Sequence, residues 1–245
     1  MEIDFAKLSL AGNRQENQDR VDVFTDDGAV LMVVVDGMGG HAEGAKAAEV
    51  TVATLRECFA AEPRPLLDPQ GFLTLSLAYA HARVVALGEG VPMDHKPRAT
   101  CAVCLVQDGG AYWAHVGDSR IYQLRLGEIR ERTRDHSHVE LLLREGLIAE
   151  REARSHPMRN FVECCLGGDT PLPNMSVSGR KPVASGDVLM VCTDGLWTGV
   201  DDGEIAAIAN GAAVGKPLRE LAEKAVANNS PHSDNTSAAA LRWLG

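Results

Sequence analysis

Alternation opens the chain. Residues 3–10 and 20–25 alternate apolar with polar side chains, and Val30 to Val35 is an unbroken apolar run, so three strands are predicted before any helix. From His41 to Ala60 the apolar positions Ala45, Ala48, Val52, Leu55 and Phe59 fall at helical spacing, and a second such pattern runs from about Pro69 to Leu87. Between Ala99 and Thr133 short strands return: T-C-A-V-C-L-V, A-Y-W-A-H-V, R-I-Y-Q-L-R and E-I-R-E-R-T. Asp108-Gly109-Gly110 and Leu126-Gly127-Glu128 serve as turns, and the stretch reads as an antiparallel meander.

Residues 135–168 are helical in pattern but charged, with Pro157 interrupting them, and read as an insertion lying over the sheet. Strands are predicted again at Met175–Ser178, Val188–Cys192 and Ser237–Trp243, and helices at Asp202–Ala209 and Pro217–Asn228. This order does not alternate as a doubly wound parallel sheet would. The predicted class is α+β, with two packed antiparallel sheets flanked by helices.

At 245 residues the chain is long enough to bury a substantial core, and nothing in it calls for a second domain. A formal charge of −10 and a pI near 5.3 argue against nucleic-acid or anionic-membrane partners, which require a basic surface. Met1-Glu2-Ile3-Asp4 lacks a basic segment followed by an apolar stretch, and no run of eighteen apolar residues occurs, so a soluble cytoplasmic protein is expected. Of the six cysteines, Cys101 and Cys104 have C-x-x-C spacing but sit in a strand pattern, where residues three apart face opposite ways; reduced, buried thiols are expected. Cys58 to Arg64 matches a C-x5-R spacing, yet it lacks glycine and carries a proline and a carboxylate, so no phosphate loop is read there.

The chemistry lies in aspartates placed where strand-like runs stop: Asp19, Asp36, Asp194 and Asp234. Converging carboxylates repel one another and lose hydration, an arrangement that is costly without a hard cation such as Mn²⁺ or Mg²⁺. Glycine follows two of these acids, and at Gly37 the bare backbone allows a carbonyl to approach an ion.

Arg14-x-x-Asn17-Gln18-Asp19, Asp36-Gly37-Met38-Gly39-Gly40-His41, His115-Val116-Gly117-Asp118-Ser119-Arg120, Asp194-Gly195 and Asp234-Asn235 together resemble the motifs of the bacterial metal-dependent type 2C (PPM family) serine/threonine protein phosphatases. The likeness spans about residues 9 to 241. It implies an α-β-β-α sandwich forming a single catalytic domain over residues 1–245, with a flap at about 135–168 and a two-metal centre in a cleft at one end of the sheets. It also implies that Asp36 bridges two ions, that the Gly37 carbonyl binds one, and that Asp194 and Asp234 complete the other. Asp19 would lie behind them or bind through water. Relatives often carry Glu where this chain has Gln18, so direct binding there does not carry over. In many bacterial members the position of Asp118 helps to hold a third, weaker ion, which a flap hydroxyl at the place of Ser155 can join.

Paired cations about 3.5–4 Å apart would offset the charge of a phosphomonoester and acidify a water for attack, so no protein nucleophile is required. Arg14 would grip two phosphate oxygens as a fork. Animal relatives place a histidine where this chain has Met38, so the donor of the leaving-group proton is open between His41, whose ordinary pKa near 6.5 suits the task, and a water at the third site. His156 and Arg159 resemble the end of the flap, and the resemblance implies that this end touches substrate. The expected partners are phosphorylated proteins and a cognate eukaryote-like kinase, with the phosphatase a monomer. A non-catalytic binding module of the same fold would have lost aspartates, and none of the four is missing. An aspartate-nucleophile phosphatase would need D-x-D, and Asp36-Gly37-Met38 lacks the second acid.

Overall fold

The computed structural model describes residues 1–38, 42–153 and 156–245. In chain order the strands and helices begin with β1 (Ile3–Leu10), β2 (Arg20–Asp26), β3 (Ala29–Val35), β4 (Gly37–Met38), α1 (Ala42–Ala61) and α2 (Pro69–Leu87). Then come β5 (Arg98–Ala99), β6 (Cys101–Gln107), β7 (Gly110–Val116), β8 (Arg120–Arg125), β9 (Glu128–Arg132), α3 (His138–Arg144), α4 (Glu150–Ala153) and β10 (Leu166–Gly167). The chain continues with β11 (Ser176–Val177), β12 (Lys181–Pro182), β13 (Val188–Cys192), α5 (Asp194–Trp197), α6 (Asp202–Ala207), α7 (Gly215–Asn229) and β14 (Thr236–Trp243).

One sheet has the order β1-β14-β13-β8-β9 and another β11-β7-β6-β3-β2, with β12 also on β7; a small third sheet joins β10, β5 and β4. Three apolar layers stack as the strand periodicity requires. Leu31, Val33, Val35, Cys101, Val103 and Leu105 face α1 and α2, while Val30, Met32, Val34 and Cys104 meet Ile121, Leu189, Val191, Ala239 and Leu241 of the other sheet. Tyr122, Val188, Met190, Cys192, Ala238 and Ala240 turn outward under α5, α6 and α7. The result is the α-β-β-α sandwich. Strand β3 is buried on both faces, which is why its sequence shows no alternation. Cys101 and Cys104 do diverge, one toward the helices and the other into the gap between sheets.

The expected meander between Ala99 and Thr133 is corrected by the pairing. Strands β6 and β7 form a hairpin in one sheet, whereas β8 and β9 form a hairpin in the other, with β8 lying against β13. The chain changes sheets at Gly117–Ser119, where Gly117 takes a φ of +97° and a Cβ would sit 2.6 Å from Thr100 Cγ2. Each hairpin satisfies the same local pattern, so periodicity alone could not separate them. The 135–168 segment is also less helical than its pattern suggests. Among its described residues α3 holds seven residues, capped by Ser137, and α4 only four, and β10 lies near its end. Helix α7 begins two residues before the expected Pro217, and the short α5 was not expected.

Candidate metal centre

Antiparallel pairing explains why acids far apart in sequence share one place. Asp36 follows β3 and Asp194 follows β13, but Asp19 and Asp234 lie just before β2 and β14, so only two of the four close a strand. Val35 pairs with Arg20, and Cys192 with Ala238, so in each sheet the end of one strand lies beside the start of the next. Val116 pairs with Cys101 and Arg120 with Cys192, which brings Asp118, on the connection between sheets, to the same end.

Electrostatics records this gathering. Burial pushes the Asp36 carboxyl well above the ordinary range, and Asp19, Asp194, Asp118 and Asp234 push it further. Asp118, 5% exposed, is raised by burial and then by Asp194 and Asp135. Asp194 is raised by burial and by Asp234. Asp19, 2% exposed, is raised by burial despite accepting a hydrogen bond from Thr193 Oγ1 at 2.8 Å. Among the described residues no three acidic, histidine or cysteine side chains stand together as a ready-made ion cage. The five aspartates are neighbours through their fields.

Two observations test whether divalent cations suit this group. Asp19 Oδ1 is buried without a hydrogen-bond partner, and the aspartates offer only oxygen donors whose mutual repulsion a cation would relieve. The residues fit.

The loop from residue 11 to 18 is fastened to the turn before β14. Asn235 is its rivet: Oδ1 accepts from Gln18 N at 2.8 Å, and Nδ2 donates to Ala11 O and Glu16 O at 2.9 and 3.0 Å. Ser233 Oγ donates to Asn13 Oδ1 at 2.7 Å. Arg14, exposed on this loop, places Nη2 2.7 Å from Asp234 Oδ2 and borders a cavity of about 290 Å³ with Asn13, Pro231, His232 and Ser233. Thr100 ties Asp36 to the residue after Asp118, donating its N–H to Asp36 O at 2.9 Å and pairing its hydroxyl with Ser119 Oγ at 2.7 Å. Asn235 and Thr100 were missed as site residues, although D-N and the strand start at Thr100 stand in the sequence, because their roles are backbone contacts over long separations.

The glycines beside the acids have a steric reason as well. A Cβ on Gly37 would lie 2.1 Å from Gly44 O, and one on Gly195 would lie 2.0 Å from Asn235 O. Asp36, Gly37, Asp19, Asp118, Asp194, Asp234 and Arg14 thus lie at one end of the sandwich. His41 and Ser155 lie outside the described residues, and His156 and Arg159 follow α4 in the 135–168 segment, with Arg159 N–H donating to His156 O.

Known proteins resemble this chain in sequence and in fold. The sequence pattern of the family described as protein phosphatase 2C matches residues 9–230. The protein phosphatase PhpP of Streptococcus pneumoniae is 31% identical over 234 residues, covering 92% of this chain and 91% of that one. The serine/threonine protein phosphatase PstP of Mycobacterium tuberculosis is 31% identical over 218 residues, 89% of this chain and 41% of PstP. A crystal structure of the PstP catalytic domain in complex with two manganese ions superposes with a TM-score of 0.83 at 27% identity, covering 99% of each chain.

Proposed function

The chain belongs to the protein phosphatase 2C family and removes phosphate from phosphoserine and phosphothreonine of proteins in a metal-dependent reaction, and from this we propose that Asp36, Asp194 and Asp234, with the Gly37 carbonyl, hold two divalent cations. Asp19 supports them from behind, and Asp118 holds a third, weaker ion. Mn²⁺ and Mg²⁺ both suit a set made only of oxygens. The observation that carries this reading is the mutual repulsion of the clustered aspartates, of which Asp19 and Asp118 are buried, together with the unpartnered Asp19 Oδ1.

When bound, the cations supply Lewis acidity, offsetting phosphate charge and acidifying water for attack on phosphorus. The chain's own groups bind and orient. Arg14, exposed beside the cavity and already paired with Asp234, is placed to take two phosphate oxygens as a fork and to align the ester. Asn235 and Thr193 hold the backbone and carboxylate around Asp19 so that neither swings away. His41 is our candidate for returning a proton to the serine or threonine alkoxide.

We take residues 1–245 as one catalytic domain with a flap at about 135–168, working as a monomer in the cytoplasm and opposing a cognate serine/threonine kinase. Among the described residues no helix is long and apolar enough to cross a membrane. Hydrolysis of p-nitrophenyl phosphate and a phosphothreonine peptide, with Mn²⁺ and after EDTA, tests the reading alongside calorimetric Mn²⁺ titration. Two ions bound and turnover lost in EDTA are expected; full turnover after chelation would sink it.

A further inference from the structure

The turn that carries Asp118 is not a hairpin. It passes from one sheet to the other, so no strand ladder fixes its backbone, and the groups that do fix it come from elsewhere. On its upstream side, Gly117 exchanges two hydrogen bonds with one residue: His136 N–H donates to Gly117 O at 2.8 Å, and Gly117 N–H donates to His136 Nδ1 at 3.3 Å. On its downstream side, Arg120 forks onto Asp135, Nε to Oδ1 at 2.8 Å and Nη2 to Oδ2 at 2.7 Å, while its guanidinium lies 3.5 Å over the Trp197 ring. Trp197 in turn donates Nε1–H to Asp118 O at 3.0 Å.

Asp135 and His136 are adjacent in sequence, so a single point of the chain holds both ends of the turn. That point is the root of the 135–168 segment. His136 is itself held: its ring stacks on His115 with centroids 4.5 Å apart, and its carbonyl accepts from Glu163 N at 2.8 Å. Because Gly117 N–H points at Nδ1, the ring proton of neutral His136 resides on Nε2, which lies 2.8 Å from Ser176 Oγ and donates to it.

We propose that Asp135 and His136 are positioning residues for the Asp118 carboxylate, clamping its turn from both sides and so setting how well that acid can meet a cation. The inference rests on the reading of Asp118 as a metal ligand. It adds that the root of the flap, which contributes no ligand itself, tunes metal uptake.

The test compares His136→Phe, which keeps a ring on His115 but removes both nitrogens, with His136→Asn, whose amide oxygen can still accept from Gly117 N–H, and with Asp118→Asn. For each, three quantities are measured: the Mn²⁺ concentration for half-maximal p-nitrophenyl phosphate turnover, calorimetric Mn²⁺ uptake, and the melting temperature in EDTA. Asp118→Asn and His136→Phe should both raise the Mn²⁺ requirement on the order of 10-fold and weaken uptake in parallel, with His136→Asn recovering most of the loss. A His136→Phe protein that melts lower in EDTA yet takes up Mn²⁺ like the unaltered protein overturns the clamp while leaving Asp118 as a ligand. Unaltered uptake in Asp118→Asn overturns the ligand reading, and the clamp with it. Should His136→Phe fail to fold, Asp135→Asn, which leaves the imidazole in place and weakens the Arg120 fork, carries the same comparison.

Discussion

Arg14 Nη2 lies 2.7 Å from Asp234 Oδ2, joining the residue assigned to phosphate with one assigned to metal. Both side chains are substantially exposed, so the pair itself adds little to stability, and in the proposed reading it keeps the guanidinium at the cleft. Arg14→Ala should raise KM and lower kcat/KM for phosphopeptides by about 100-fold, while calorimetric Mn²⁺ affinity changes little. Arg14→Lys should recover only part, because an ammonium cannot fork. Equal loss of metal affinity in Arg14→Ala would show that the arginine serves the ions instead.

Asp36→Asn and Asp234→Asn should each reduce turnover below detection at low Mn²⁺ and still give a cooperative melt. The sign of the pH effect follows from Asp36. Its folded pKa is raised, so its contribution to stability is complete below the ordinary carboxylate value of 3.8 and is lost as pH rises through the folded value. In EDTA, Asp36→Asn should therefore gain stability relative to the unaltered protein as pH goes from 5 to 8. Urea midpoints at the two pH values measure this; a difference that stays constant would contradict the repulsion.

His136 behaves oppositely. Burial, then neighbouring His115, lowers its pKa to about 4 from 6.5. A neutral ring in the fold contributes stability that is whole above the unfolded pKa and is lost as pH falls from 6.5 toward 4. The imidazole resonances of His136 should keep their uncharged shifts at pH 5.5, and a midpoint near 6.5 would place the ring in solvent.

Replacing Gly195 by Ala should destabilise the protein by about 1–3 kcal/mol, since the new methyl would meet the Asn235 carbonyl at 2.0 Å and one of the two must move. Activity should fall with it, because that carbonyl belongs to the residue after Asp234. Chemical denaturation and Mn²⁺-dependent turnover measure the two effects together; loss of neither would mean the contact is easily relieved.

Asn235→Leu removes one acceptor and two donor bonds to the loop carrying Arg14, leaving Gln18 N, Ala11 O and Glu16 O to find new partners. A loss of about 1–3 kcal/mol is expected, accompanied by faster proteolysis or amide exchange within residues 11–18. Exchange confined to other segments would disconnect Asn235 from that loop.

Local pattern determined the long strands and the long helices, because period 2 and period 3.6 are properties of a few consecutive residues. It also made the aspartate motifs legible, and with them the family. Tertiary structure alone decided that β7 and β8 belong to different sheets, that acids on either side of strands converge at one end, and that Gly37 and Gly195 are bare to let another backbone pass. It decided too that Asn235 and Asp135-His136 hold the site loops. Those facts depend on contacts between residues up to 224 positions apart, as for Asn235 and Ala11, and the pairing partner of a strand or a carbonyl is set by packing of the whole chain, which no local periodicity encodes.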